Sequence, residues 1–542
     1  MKADEDGERP WGKEIPEGIW DYVVIGSGMG GMTTAALLAK LGRRVLVLEQ
    51  HYVPGGFTHE FKRPGYHWDV GVHAVGEVTK HSVTGRILGA LSGGALEWAS
   101  LGSVYDAFHF PNGFRIDFPD SPAQFRDNLL DAFPREQKAI DEYLHLVRSV
   151  AESMKGYYLA RLLPADAARF AEPLVARGAQ RWLTARTDQV LASLTDDPRL
   201  RAILTAQWGY YGSTPRHSSF AIQALVAKHF LHGGYYPIGG AGRIARTLLA
   251  TVEKAGGWTA IRADVDRILV EHGRAVGVRL ADGREVRSKR VISAAGVLST
   301  VTRLLPPEHS SDAWAKDVSS LPPAPAHVCL YLGFEGDVAS AGATAANQWF
   351  YDTWDMEVDA WRVRADDVEL ERAAVLYTSF PSMKDPTHDA GPSQRHTGEI
   401  VTFVPWETFA PWKHARWKKR GADYDAFKER LSERLLGQLL EHRPALAPLV
   451  RHVELGTPVS TDHFVRPVQG SIYGLEPTAR RFRSRWLRPR APIVNLFFSG
   501  SEVATVGVMG AMMGGVLAAV SAEPIAATRW LRPVVGSLTR GG

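Results

Sequence analysis

Three glycines and one acid mark where this chain can hold a phosphate-bearing molecule. Gly26, Gly28 and Gly31 are spaced G-x-G-x-x-G, Gly30 stands beside the last of them, and Glu49 follows a helix-forming run. In this spacing the first glycine makes a tight turn, the second lets backbone approach a pyrophosphate, and the third lets a helix lie close on a strand. Free N–H groups and the macrodipole at the helix N-terminus favour the negative charge. Glu49, about 20 residues on, is placed to accept hydrogen bonds from a ribose. The chemistry these residues can do is to bind a dinucleotide.

The flanking elements have to position that site. Residues 22–25 are a short apolar run suited to a buried parallel strand, 32–41 are rich in helix formers, and 45–48 are a second buried strand ending on Glu49. Strand, helix, strand and terminal acid together make a βαβ unit, which a chance glycine-rich turn would lack.

The residues after Glu49 narrow the dinucleotide. Gln50 and His51 lead to a glycine pair, Gly55 and Gly56, and then to Phe57, Thr58 and His59. Such a pair permits a second close backbone approach to the pyrophosphate, as in the FAD sites of the glutathione-reductase-like superfamily. Residues 65–76, GYHWDVGVHAVG, are a hairpin-like, aromatic and glycine-rich stretch. On LEQH (48–51), GGFTH (55–59) and DVGVHAVG (69–76) the chain resembles the flavin-dependent retinol saturases, with carotenoid isomerases and phytoene desaturases as more distant relatives. YYPIGG (235–240), the order W…W-KKRG…Y from residue 412 and Thr457-Pro458 carry the likeness onward. Phe57 departs from the small residue or cysteine of the pattern, and Ser501-Glu502 from its Gln-Asp.

The resemblance implies an α/β fold: a glutathione-reductase-like FAD-binding Rossmann domain interleaved with a mixed-sheet plus helical substrate domain. The FAD part is expected at 21–100, 237–325 and 466–525, the substrate part at 101–236 and 326–465, with terminal extensions at 1–20 and 526–542. Cofactor contacts are expected from Gly26, Gly28, Gly30, Gly31, Glu49, Gln50, Gly55, Gly56, Phe57, Thr58, Asp69 and Gly71. By analogy Val265 lies near the adenine. A late strand ending at Gly500, the acid Glu502 and a helix opened by Gly507 and Val508 supply the last segment, and that helix N-terminus stabilises negative charge on a reduced flavin. Its alternative, a membrane span over 506–522, is glycine-interrupted and barely reaches the ~18–20 residues required.

Elsewhere the chain divides by composition. Residues 105–235 read as mostly helical, with Ser121 as an N-cap before Pro122. Residues 157–182 alternate aromatics and leucines with arginines, which suits either an interfacial helix pair or packing within a substrate domain. Gly240-Ala241-Gly242 is not a second fingerprint, because Pro237 and two tyrosines precede it instead of a buried strand. No tightly bound nicotinamide is therefore expected, and electrons come from an external donor or acceptor. Residues 257–270 and 277–286 are strands with an Asp282-Gly283 turn, 290–296 return to the sheet, and 329–334, 375–380 and 399–405 are strands of a second sheet.

At 542 residues the chain exceeds a single simple core, and 45% hydrophobic with 23% charged residues is a soluble globular composition. The first 20 residues lack an apolar segment, so no signal peptide is expected. The single cysteine, Cys329, excludes an internal disulfide and a dithiol redox pair. Net charge is +4, with basic residues gathered at 412–420 and 480–490. These suit an anionic membrane surface or a solvated face, and no nucleic-acid motif accompanies them. A cytoplasmic protein, with peripheral membrane attachment left open, is the expected location.

The expected activity is FAD-dependent chemistry on carbon–carbon double bonds of a long apolar substrate: a retinoid, a carotenoid or an unsaturated fatty acyl lipid. Saturation, desaturation and isomerisation all remain open. His73, Tyr235 and Tyr236 are candidates for the proton donor or acceptor, and no metal is expected. A flavin amine oxidase-like enzyme and a flavin-binding protein without turnover are the alternatives.

Overall fold

The strand Trp20–Ile25 pairs in parallel with Val45–Glu49 on one side and Glu285–Ser293 on the other. The computed structural model describes residues 9–367 and 369–536. Trp258–Ile261 extends the sheet beyond Val45–Glu49, and Leu496–Phe498 pairs in parallel with Glu285–Ser293. The antiparallel strands Val265–Glu271 and Arg274–Leu280, the latter joined to Glu285–Ser293 across the Asp282-Gly283 turn, complete seven strands. Every residue of Val45–Glu49 is buried, as a parallel strand covered on both faces requires. One face carries Val24, Val45 and Val47 against the helices Met29–Lys40 and Gly507–Ala522; the other carries Val23, Leu46 and Leu48 against Ile268 and Trp314.

The two helices approach through glycines. A Cβ on Gly30 would stand 2.5 Å from the Gly500 Cα, and one on Gly515 would stand 2.5 Å from the Gly30 carbonyl oxygen. Among the described residues no helix is long and apolar enough to cross a membrane, and Gly507–Ala522 is buried against this sheet.

A second seven-stranded sheet runs in the order Val450–Gly456, Ala326–Glu335, Arg395–Val404, Val375–Ser379, Asn347–Tyr351, Val104–Phe110, Phe114–Pro119. Alternation along its strands splits it into two faces. Leu330, Phe350, Leu376 and Ile400 pack under the helix Ala422–His442 through Leu431, Leu435 and Leu439. Trp349, Tyr377, Val401 and Phe403 turn the opposite way, toward the first sheet.

Residues 105–235 are mostly helical, as expected, and open with the hairpin Val104–Phe110 and Phe114–Pro119, turned by Asn112 (φ 63°) and Gly113 (φ 72°). Asn-Gly is a strong hairpin signal because both residues accept positive φ. The basic run 480–490 is divided: Arg480, Arg483 and Arg485 are exposed, and Arg481 and Arg488 are buried. Their guanidinium groups donate to the carbonyls of Leu475 and Ser501, and of Leu163, respectively, and so tie this segment to its neighbours. At the other end, Pro524–Val535 is a helix whose Trp530, Leu531 and Val534 pack on the core.

Candidate active site

Between the two sheets lies a cavity of about 1430 Å³. Gly26, Gly28, Gly30, Glu49, Gln50, Gly56, Phe57, Thr58, Gly71, Val265, Gly500, Glu502, Gly507 and Val508 all reach its wall. A Cβ on Gly28 would meet nothing within 4 Å, so this glycine faces open space, while one on Gly56 would stand 2.9 Å from the Gly28 Cα. The two glycine loops thus press together and leave their backbone bare toward the cavity.

Both helices that start here have free N-termini. Met29–Lys40 follows Gly28, and Gly507–Ala522 follows Val506; neither has a side-chain cap or an acid in its first turn. Two unsatisfied sets of N–H groups and two positive dipole ends therefore meet one cavity, an arrangement that fits a diphosphate. Glu49 is fixed by its own loop: Oε2 accepts from the Ser27 amide at 2.9 Å and the Ser27 hydroxyl at 2.6 Å, and Oε1 from the His51 amide at 2.8 Å. Its carboxylate still lines the cavity, with lone pairs left for a ribose. Glu502 braces the late segment by accepting from the Leu298 amide at 2.9 Å. The residues present fit FAD.

Three expected contacts lie off the wall for physical reasons. Gly31 is spent on helix packing, because a Cβ there would meet the Gly26 carbonyl oxygen at 2.1 Å. Gly55 donates its amide to the Ser27 hydroxyl at 3.0 Å. Asp69 is buried and accepts from the Tyr236 hydroxyl and, at 3.1 Å, from the Ala241 amide. Burial, with Glu60 and Glu399 nearby, pushes its carboxyl up to about 7. Tyr236 is thereby committed to Asp69 and is held away from the cavity. Tyr235 sits in the short strand Tyr235–Pro237, its hydroxyl donating to the His232 carbonyl at 3.3 Å. Neither tyrosine reaches the wall as a proton donor. Nearby, Glu60 accepts from the Gly242 amide at 2.5 Å, so the helix Gly242–Lys254 has a carboxylate of this chain at its N-terminus.

His73 does reach the wall. Its Nδ1 stands 3.0 Å from Glu399 Oε2, and its ring meets Tyr377 edge-on at 5.2 Å. Burial and the Lys384 ammonium hold the imidazole down to about 3, so it is neutral at physiological pH. Lys384 Nζ donates to the His73 carbonyl at 2.6 Å, to Ser379 Oγ at 2.7 Å and to Asn347 Oδ1. Asn347 in turn donates to Asp106, which also accepts from the Tyr210 hydroxyl at 2.7 Å.

Lys384, Glu399, Asn347 and Asp106 are not legible as a site in sequence, because they converge from separate strands and loops. Glu399 alone leaves a trace, as a charged residue opening the mainly apolar run EIVTFV. Beside His73 the wall carries apolar and aromatic residues, Ile222, Leu225 and Val226 from Phe220–Phe230 with Trp349, Tyr377 and Phe403. Glu77, Arg148, Glu152, Lys155 and Lys228 line it as well. Among the described residues no group of His, Cys, Asp and Glu is arranged to hold a metal ion.

The model of one family, flavin containing amine oxidoreductase, matches residues 29–522. An all-trans-retinol 13,14-reductase of Danio rerio is 33% identical over 520 residues, covering 92% of this chain and 85% of the relative. A chloroplastic prolycopene isomerase of Arabidopsis thaliana is 27% identical over 474 residues, covering 85% and 75%. A solved putrescine oxidase with bound putrescine shares the fold, with a TM-score of 0.60 at 16% identity and coverage of 94% and 100%.

Proposed function

The chain belongs to the flavin containing amine oxidoreductase family, and from that premise we propose that it is an FAD-dependent oxidoreductase of carbon–carbon double bonds in a long apolar substrate. All-trans-retinol 13,14-reductases and prolycopene isomerases are its relatives, so retinoids and carotenoids are the first substrates to test, with unsaturated acyl lipids next. One observation carries the reading. The cavity, at about 1430 Å³, exceeds the ~300–1,000 Å³ of an ordinary ligand pocket, and past the glycine loops its wall turns mainly apolar. It has room for a dinucleotide and for a second, water-insoluble molecule.

FAD, when bound, supplies the hydride chemistry of the reaction. The chain's own residues hold and orient. The two helix N-termini and the glycine loops bind the diphosphate, and Glu49 the ribose. Trp349, Tyr377 and Phe403 exclude water and keep a flat conjugated chain in one plane. His73 stands where the polar and apolar ends of the cavity meet. A glutathione-reductase-like arrangement of the cofactor part and the domain division at 21–100, 237–325 and 466–525 against 101–236 and 326–465 fit the distribution of strands between the two sheets.

The partner is an anionic membrane surface, met at the cavity's apolar rim. Leu159 and Val535 line the cavity and are exposed, at 60% and 36%. Close in the chain to these, Phe170 and Leu174 are each 77% exposed and Ile525 is 78% exposed. Arg148 and Arg532 stand at the same wall and suit lipid phosphates, while Lys155 there is paired with Glu152. The electron partner is external.

Anaerobic mixing tests the reaction. Dithionite-reduced protein is mixed with all-trans-retinol or a carotene, flavin reoxidation is followed, and products are analysed so that isomerisation without net flavin change is also seen. Oxidised protein is mixed with putrescine and other amines. Bleaching by amines, with no alkene converted in either redox state, would overturn the polyene reading in favour of an amine oxidase.

A further inference from the structure

Behind His73 lies a buried ionisable cluster that binding and orientation leave without a task. Glu399 is fully buried in Arg395–Val404, and neither of its carboxyl oxygens has a well-directed side-chain hydrogen bond. In sheet register it stands opposite Tyr331 on one side and Ser379 on the other, so all three project toward the cavity side. His73 Nδ1, 3.0 Å away, is likewise a buried nitrogen without a well-directed hydrogen bond. With Nδ1 turned toward Glu399, Nε2 is the ring nitrogen left for the cavity that His73 lines. A buried polar group left in this state costs stability, of a kind that persists at sites with a chemical role.

We infer that Glu399 and His73 form a proton relay from the interior of the second sheet to the substrate. The inference rests on the proposed double-bond chemistry. In saturation one alkene carbon would take the hydride that FAD supplies when bound and reduced, and its neighbour takes a proton. That proton leaves His73 Nε2 as the new C–H bond forms; the Glu399 O–H bond breaks, and its proton passes to Nδ1. The ring stays neutral throughout, and the negative charge comes to rest on the Glu399 carboxylate, beside Lys384. Desaturation runs the same transfers backward. His73 touches the substrate and is the catalytic residue of the pair. Glu399 acts through it and is a positioning residue that also stores the proton.

The surroundings suit storage. Burial pushes the Glu399 carboxyl up to about 8 against the pull of Lys384, the Asp69 amide and His67. Lys384 is drawn down to about 7 by burial, offset by Glu399, Asp106 and Asp69. From the strand Ala326–Glu335, Cys329 and Tyr331 face the same carboxyl, and Tyr377 and Tyr236 close it from the other sides; burial keeps all four protonated. A neutral imidazole between an acid that keeps its proton and an apolar cavity can pass a proton without ever carrying charge.

Two variants of the FAD-loaded protein test the relay. Glu399→Gln keeps a hydrogen-bond donor for Nδ1 and has no proton to give; His73→Gln removes the ring. Infrared difference spectra between pH 6 and pH 10, recorded without substrate, should show a protonated carboxyl band in the wild type. That band should be absent in Glu399→Gln and shifted in His73→Gln. In turnover each variant should lose about 100-fold or more in kcat with KM nearly unchanged, and the double variant should lose no more than the worse single one. The alkaline fall of the wild-type rate should vanish in Glu399→Gln. A wild-type spectrum in which Glu399→Gln removes no band overturns the relay, as does unchanged kcat in Glu399→Gln. A protein that converts no alkene but shows the band would instead overturn the substrate reading, because the infrared result needs no substrate.

Discussion

At the scale of single residues, Gly28 and Gly31 differ in what a side chain would meet. Gly28 faces the open cavity, and a Cβ at Gly31 would run into the Gly26 carbonyl oxygen at 2.1 Å. Gly28→Val should therefore fold with a melting temperature near that of the flavin-free wild type and lose its yellow colour, because the branched side chain takes the space of the pyrophosphate. Gly31→Val should lose about 1–3 kcal/mol of stability or more through overpacking, whether or not flavin is present. Flavin absorbance per chain and thermal denaturation of both variants separate the two roles. Full flavin in Gly28→Val would sink the assignment of the cavity's polar end. Tyr236 makes the complementary point: its hydroxyl is taken by Asp69, so Tyr236→Phe should cost stability more than turnover.

At the scale of elements, the helix Phe220–Phe230 and the strand Arg395–Val404 set the width of the apolar end. Leu225 and Val226 on the helix line the cavity opposite Trp349, Tyr377 and Phe403. Val226→Trp should fill part of that end, leave the flavin content unchanged and lower kcat/KM at least about 10-fold for a C40 polyene, with a smaller loss for a short alkene. Steady-state rates over a series of chain lengths read this out, and equal losses across the series would count against the cavity as the substrate channel. The helices Gln137–Arg161 and Pro524–Val535 bring Leu159 and Val535 to the rim. Leu159→Glu with Leu174→Glu should weaken sedimentation with anionic vesicles several-fold. Salt should weaken wild-type binding too, as the Debye length falls from ~10 Å at 0.1 M to ~3 Å at 1 M. Loss on neutralising the exposed lysines of 412–420, with the rim pair silent, would move the membrane face there.

At the scale of the whole molecule, burial of ionisable groups makes stability depend on pH. His59, His109 and His327 are each pulled down to about 4 and His73 to about 3, in each case mainly by burial. Unfolded, these four histidines titrate near 6.5, so below that pH the unfolded chain binds protons that the folded one refuses. Stability is then lost as pH falls from about 6.5 toward about 4. Asp69 and Glu399 act oppositely, since their folded carboxyls keep a proton up to about 7 and about 8. Burial also lowers His51, His396, His442 and His463 and raises Asp106, Asp462, Glu476 and Glu502. Among the described residues eight histidines against six carboxyls therefore leave the histidines ahead. The melting temperature should fall between about pH 6.5 and about pH 5, at about 1.4 kcal/mol per pH unit for each excess proton taken up on unfolding. Thermal denaturation across that range checks it, and a rising melting temperature on acidification would show that the carboxyls dominate.

The sequence by itself determined the cofactor end of this protein. Gly26 through Glu49 is a contiguous βαβ unit, and its periodicity, glycine spacing and terminal acid all lie within some 25 residues, where local rules of turn and helix formation act. The strands 329–334, 375–380 and 399–405 were legible for the same reason, as short apolar runs that form Ala326–Glu335, Val375–Ser379 and Arg395–Val404. The hairpin turned at Asn112-Gly113 had a local signal that the surrounding helical pattern masked. What only the tertiary structure decided is which residues stand together where the two sheets meet. Tyr236 is a free candidate in the sequence, and folding lays it against Asp69, 167 positions away. Within 480–490 folding buries Arg481 and Arg488 against the carbonyls of Leu475 and Leu163 and leaves Arg480, Arg483 and Arg485 exposed. His73 and Glu399 meet across more than 300 residues of chain because the hairpin loop after Tyr66–Asp69 is pressed onto the open face of the second sheet. Side-chain alternation is fixed locally, but the direction in which a strand's faces point is set only when the sheets pack.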